Sequence, residues 1–207
     1  MTTINDLDTP AVTVDLDIVE ANIKRIQNKL DGFGIANRPH IKTHKLPQMA
    51  RLQMEAGAIG ITCQKIGEAE VFAESGVVDD ILLTFNILGV SKTDRLCALV
   101  KKLKRMAVVL DNETVAKGLS EAGVRNGVDI RFLIECDTGF GRNGVQSPQA
   151  ALDLAQTVMK MPRMQFEGLM TFPIKLPDTK QYLERALQLF GGAGIPVPVV
   201  SGGGSPR

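Results

Sequence analysis

Residues 130–145 read Ile130-Arg131-Phe132-Leu133-Ile134-Glu135-Cys136-Asp137-Thr138-Gly139-Phe140-Gly141-Arg142-Asn143-Gly144-Val145, and this stretch decides the fold class. Its first half is a mostly continuous apolar run, which suits a strand covered on both faces in a parallel sheet. Its second half turns on three glycines, and Ser147-Pro148 then supplies an N-cap with proline at the first helical position. Strand, loop and helix start make one βα unit.

The unit recurs in both directions. Further strand candidates are residues 9–15, 38–43, 60–64, 80–85, 106–111, 166–172 and 196–201, beside 130–137 itself. Helical periodicity predicts helices over 16–30, 45–56, 67–75, 92–103, 113–126, 147–161 and 179–190. Gly57, Gly76, Gly127 and Gly191 stand where several of these should stop. Repeated units imply right-handed parallel crossovers, hence an open doubly wound sheet or a (β/α)8 barrel. No GxGxxG opens the chain, and the glycine-rich turn comes last, where barrels bind phosphate. The expectation is an α/β chain folded as one TIM-barrel domain.

The 207 residues are 44% apolar and 23% charged with a net charge of +1, an ordinary composition for a globular protein. Nothing in that balance suggests nucleic acid as a partner. No apolar run approaches a membrane span, and residues 1–8 have neither the basic start nor the apolar core of a secretory leader, so the cytoplasm is the expected compartment. Cys63, Cys97 and Cys136 are too scattered for a disulfide framework or a zinc knuckle and are expected to be buried thiols.

Three stretches at strand ends carry candidate chemistry. The first is Arg38-Pro39-His40-Ile41-Lys42-Thr43-His44-Lys45. A lysine at a barrel mouth can lose its charge through desolvation and attack a carbonyl, and both histidines of the chain lie within two residues of it. The bland alternative is a polar strand end with solvated lysines. The second is Asp137-Thr138-Gly139-Phe140-Gly141-Arg142, in which Arg142 either binds an anionic oxygen or pairs with Asp137. The third is Ser201-Gly202-Gly203-Gly204-Ser205, either a phosphate cradle of backbone N–H groups or a loose tail.

Taken together, these blocks resemble the D-threonine aldolase and D-serine dehydratase family, whose barrel is of the alanine racemase type. The resemblance runs from about Asp8 to the end. It takes in Leu7-Asp8-Thr9-Pro10-Ala11, the Arg38–Lys45 block, Cys63-Gln64-Lys65 with Glu68-Ala69-Glu70, Asp137-Thr138-Gly139 with Arg142 and Gly144, and the Ser201–Pro206 turn. It implies a lyase that uses pyridoxal phosphate on a D-amino acid, most simply the cleavage of a β-hydroxy-D-amino acid to glycine and an aldehyde. Elimination of water, as in D-serine dehydratase, is the alternative. A non-catalytic pyridoxal-phosphate carrier built from a single barrel, or an inactive fragment, is a third reading.

The resemblance also implies residue roles. Lys42 resembles the lysine that joins the cofactor, Arg142 the arginine that contacts its phenolic oxygen, and Ser201, Gly202, Gly203, Gly204 and Ser205 its phosphate cradle. His40 and His44 are catalytic candidates with open roles. Two departures stand out. Glu135 occupies a position where the racemase branch has lysine, which argues against racemisation. Phe172 stands where the family often has tyrosine, so a hydroxyl is lost.

The family implies a second, mostly β domain with a divalent metal, and a homodimer. No metal-ligand cluster is apparent in residues 1–207, so the expectation is an incomplete barrel domain lacking its last strand, with the metal-binding β domain outside this chain.

Overall fold

The computed structural model describes residues 3–204. Six strands, β1 (Ile61–Cys63), β2 (Asp80–Leu83), β3 (Arg105–Leu110), β4 (Ile130–Cys136), β5 (Met164–Thr171) and β6 (Val199–Gly202), form one sheet in chain order. Every neighbouring pair is parallel. Helices α1 (Leu16–Asp31), α2 (Pro47–Glu55), α3 (Ile66–Ser75), α4 (Val90–Lys102), α5 (Glu113–Asn126), α6 (Pro148–Met159) and α7 (Asp178–Gly192) complete the βα repeats. The result is a curled half-barrel.

Alternation along the strands sorts side chains into two layers. Ile81, Leu83, Val108, Leu110, Phe132 and Ile134 join the large core under the helices. Leu82, Ala107, Val109, Leu133 and Met170 form the inner cluster, with Val199 packed on it. All three cysteines are buried and free. Ser147 caps α6 as expected, its Oγ accepting the Ala150 N–H at 3.1 Å, with Pro148 opening the helix. Gly76 and Gly127 end α3 and α5 in the left-handed conformation.

Three expectations need correction. Residues 9–15 pair with no strand among the described residues, and Val12 is 97% exposed. Residues 38–43 yield one parallel bridge, His40 to Thr62, instead of a strand. Pro39 offers no N–H, and the Lys45 N–H closes onto the Ile41 carbonyl at 2.8 Å, turning the chain just past the bridge. Of the eight strand candidates, six form the sheet. Gly191 lies inside α7, which runs to Gly192, and the left-handed turn falls at Gly194.

The amino-terminal end of the half-barrel is tied by charge. Arg38 forks onto Asp80 at 2.7 and 2.9 Å, Arg105 reaches the same carboxylate at 2.7 Å and also pairs with Glu167, and Arg131 meets Glu167 at 3.0 Å. Glu167 reaches this ladder because the register slips between β4 and β5: Phe132 faces Phe166 but Leu133 faces Gly168. Gly168 in turn lets β6 approach. A Cβ there would stand 1.9 Å from the Val199 carbonyl oxygen, at a φ of +151°. Gly168→Ala should therefore loosen the β5–β6 pairing and destabilise the fold by roughly 2–4 kcal/mol. Denaturant unfolding would read this as a lowered midpoint, and an unchanged midpoint would contradict the packing described.

Candidate active site

Parallel strands in chain order bring every carboxyl end to one rim, and the candidate residues lie along it. Lys42 stands on the turn that follows the His40 bridge. Ile41 is fully buried beneath it and anchors the turn. Lys45 takes a φ of 55° and pairs with Glu68 of α3, whose other oxygen accepts the Gln64 N–H at 2.8 Å. Burial works against the charge on Glu68, but the hydrogen bonds from Lys45 and the Gln64 N–H hold its carboxyl below the usual range.

Both histidines brace this turn. The Nδ1 of His40 accepts the Lys42 N–H at 3.2 Å, and the Nδ1 of His44 accepts the Leu46 N–H at 3.1 Å. With its Nδ1 used as an acceptor, neutral His40 carries its proton on Nε2, which lies 3.3 Å from Gln64 Oε1. Burial, and then the nearby Lys42 charge, lower its pKa, so the ring is neutral at pH 7. His44 is also lowered, chiefly by burial, and its ring lies against Gln53 of α2.

The loop after β4 is organised by Asp137, which accepts the N–H groups of Gly139 at 3.0 Å, Phe140 at 2.8 Å and Gly141 at 2.9 Å, and the Gln146 amide at 3.2 Å. Asp137 is thus occupied by the loop, and the alternative in which it pairs with Arg142 does not hold. The Arg142 Nε instead donates to Asn143 Oδ1 at 2.6 Å. Its guanidinium lies 5.4 Å from the Phe172 ring centroid and 5.6 Å from that of Phe140. The Lys42 Nζ lies 5.1 Å from the same Phe172 ring. Residues a hundred positions apart thus meet on one aromatic ring, a favourable contact for either cation.

The glycine turn sits beside them. Gly202 pairs with Thr171, the residue before Phe172, and the Gly203 carbonyl accepts the Ile174 N–H at 3.0 Å. A Cβ at Gly203 or Gly204 would meet nothing within 4 Å, so the turn leaves an open cradle. Ser201 pairs with Met170 in the inner row that also holds Glu135. Ser205 lies outside the described residues. The donor set fits pyridoxal phosphate: an amine, a guanidinium, an aromatic face and an open glycine turn are gathered at one rim. Among the described residues, no group of three or more His, Cys, Asp or Glu is arranged to hold a metal, and no helix is long and apolar enough to cross a membrane.

Gln64, Glu68 and Asn143 were not singled out for a role from sequence, nor was Glu135 beyond its departure from lysine. Glu135 had left a signal, as a lone acid near the end of an apolar strand.

Residues 14–207 match the family described as alanine racemase, N-terminal domain. The chain is 34% identical to a D-threonine aldolase of an Arthrobacter species over 212 residues, covering 96% of this chain and 55% of that protein. It is 29% identical to the 3-hydroxy-D-aspartate aldolase of Paracoccus denitrificans strain Pd 1222, covering 97% of this chain and again 55% of the relative. The chain thus spans about half the length of the curated relatives it matches. In structure it resembles the D-threonine aldolase of Filomicrobium marinum, with a TM-score of 0.85, 31% identity, and coverage of 98% of this chain and 58% of the other. The alanine racemase of Bacillus anthracis shares the fold at a TM-score of 0.72 and 18% identity, with 93% and 51% of the chains covered. The chain belongs to the alanine racemase N-terminal domain family, and its relatives there include a D-threonine aldolase, a 3-hydroxy-D-aspartate aldolase and a D-serine dehydratase.

Proposed function

We propose that this chain carries the cofactor-binding half of a pyridoxal-phosphate lyase acting on β-hydroxy-D-amino acids, with aldol cleavage to glycine and an aldehyde as its reaction. The observation that carries the reading is the meeting of Lys42 and Arg142 on the Phe172 ring, beside the open turn at Gly203 and Gly204. The relatives named as aldolases of D-threonine and 3-hydroxy-D-aspartate support the substrate class.

When bound, pyridoxal phosphate supplies an electron sink for the carbon beside the substrate's amine. In this reading Lys42 holds the cofactor by its amine, and Arg142 presents a fixed cation to its phenolic oxygen. Ser201, the three glycines and Ser205 receive its phosphate through backbone N–H groups and hydroxyls. Phe172 offers a ring face with no hydroxyl to donate. His40 and His44 act as positioning residues, because each spends its Nδ1 on holding the turn around Lys42. The divalent metal of the resembling enzymes would be held by residues other than this rim, and homodimer formation is part of the same proposal.

Elimination is the second reading, favoured by the 31% identity to the D-threo-3-hydroxyaspartate dehydratase of a Delftia species. In a protein that includes the metal-binding β domain, pyridoxal phosphate, a divalent cation and D-threonine should yield glycine and acetaldehyde, and Lys42→Ala should lower the rate by roughly 10³-fold or more. A 2-oxo acid in place of glycine would mean elimination. Cofactor binding with neither product would favour the carrier, and no cofactor binding would overturn the proposal.

A further inference from the structure

Three cations share two aromatic rings at the rim. Beside Lys42 and Arg142 at Phe172, and Arg142 again at Phe140, the Lys175 Nζ lies 5.5 Å from the Phe140 centroid. None of the three enters an ion pair among the described residues. An aromatic face and a carbonyl can hold an ammonium, but neither cancels its charge, so the rim attracts anions. The function proposed above accounts for two of the cations: Lys42 holds the cofactor and Arg142 meets its phenolic oxygen. Lys175 is left over.

Lys175 is held in place from both sides. Its N–H donates to Thr179 Oγ1 at 2.8 Å, which lies 2.9 Å from Thr138 Oγ1, which lies 3.0 Å from Thr171 Oγ1. All three threonines are buried, and their hydroxyls tie the start of α7 to the end of β5 and to the loop after β4. On the other side, the Ile174 N–H is held by the Gly203 carbonyl. From this fixed main chain the Lys175 amine donates to the Gly139 carbonyl at 3.0 Å. Since β5 stands between β4 and β6, that bond turns the amine away from the glycine turn and toward the loop of Arg142. Lys175 is therefore not a counter-charge for the phosphate cradle. An ammonium has three donors and Gly139 takes one, which leaves two for a ligand on the Arg142 side.

We propose that Lys175 is a specificity-determining residue that receives a second, side-chain carboxylate of the substrate, so that the site favours β-hydroxy-D-amino diacids over those with neutral side chains. The inference deepens the function proposed above and rests on it. Every D-amino acid brings an α-carboxylate, so that group cannot discriminate among them. A side-chain acid adds the anion that the third cation lacks, through a charge-assisted hydrogen bond. Lys175 is exposed, and water weakens such a contact. The result is a preference among substrates, and a neutral one such as D-threonine binds without that contact.

D-aspartate and D-asparagine test this, because they match in shape, differ by one charge and carry no β-hydroxyl to cleave. In a protein that includes the metal-binding β domain, with pyridoxal phosphate bound, each is titrated while the cofactor's absorbance is followed. The wild type should bind D-aspartate about tenfold more tightly than D-asparagine, the scale of one charge-assisted hydrogen bond. Lys175→Gln, which keeps a donor for the Gly139 carbonyl, should bring the ratio of affinities close to one, and Lys175→Arg should retain the preference. Equal affinities in the wild type, or a preference that survives in Lys175→Gln, would overturn the proposal. If Lys175→Gln weakens both ligands equally, Lys175 serves the shared α-carboxylate and the proposal again fails. Cofactor absorbance without a preference for the diacid sinks this inference alone. A protein that takes up no cofactor sinks the function proposed above, and this inference with it.

Discussion

Every strand of the sheet runs in the same direction and pairs with its neighbour in the chain, and the rest of the structure depends on this constraint. It forces a helix between each pair of strands, because a parallel partner can be reached only by a crossover. It also gathers all carboxyl-terminal strand ends at one rim. Lys42 lies just before β1 and Arg142 in the loop after β4, and the curl of the sheet lets them meet at Phe172, just past β5.

The two ends of the half-barrel do different work. At the amino-terminal end, the ladder from Arg38 through Asp80, Arg105 and Glu167 to Arg131 ties four of the six strands, and Arg38 before the first, by paired charges. Such pairs add little net stability over apolar packing, but removing one partner strands the other, so they discriminate against a wrong register. At the carboxyl-terminal rim Lys45 pairs with Glu68, but Lys42 and Arg142 have no carboxylate partner among the described residues. Lys42 and Arg142 face an aromatic ring, and Glu135 keeps a buried oxygen without a donor. This asymmetry separates the end that ties the strands together from the rim that carries the candidate site.

The repeat of strand and helix was legible in the sequence because both signals are local: apolar runs such as Phe132-Leu133-Ile134, and caps such as Ser147-Pro148. The Arg38–Lys45 block and the glycine turn stood out as candidates for the same reason. Residues 38–43 looked like a strand because their composition is extended, yet the hydrogen bond from Lys45 to Ile41 curls them after one bridge. The slip that brings Glu167 beside Arg105 and Arg131 could not be read, since it exists only where β4 pairs with β5. Asn143 was equally hidden, since its place beside Arg142 depends on the loop folding back at Gly144, where a Cβ would crowd the Asp137 nitrogen at 2.6 Å.

The half-barrel thus gathers an amine, a cation, a ring face and an open turn on one rim, and the central claim is that these form a single cofactor site. Borohydride reduction of the chain after incubation with pyridoxal phosphate, followed by mass spectrometry of its peptides, tests this most directly. Attachment at Lys42, lost in Lys42→Ala without migrating elsewhere, is the predicted result. Attachment at Lys45 or Lys65, or scattered over surface lysines, would contradict it.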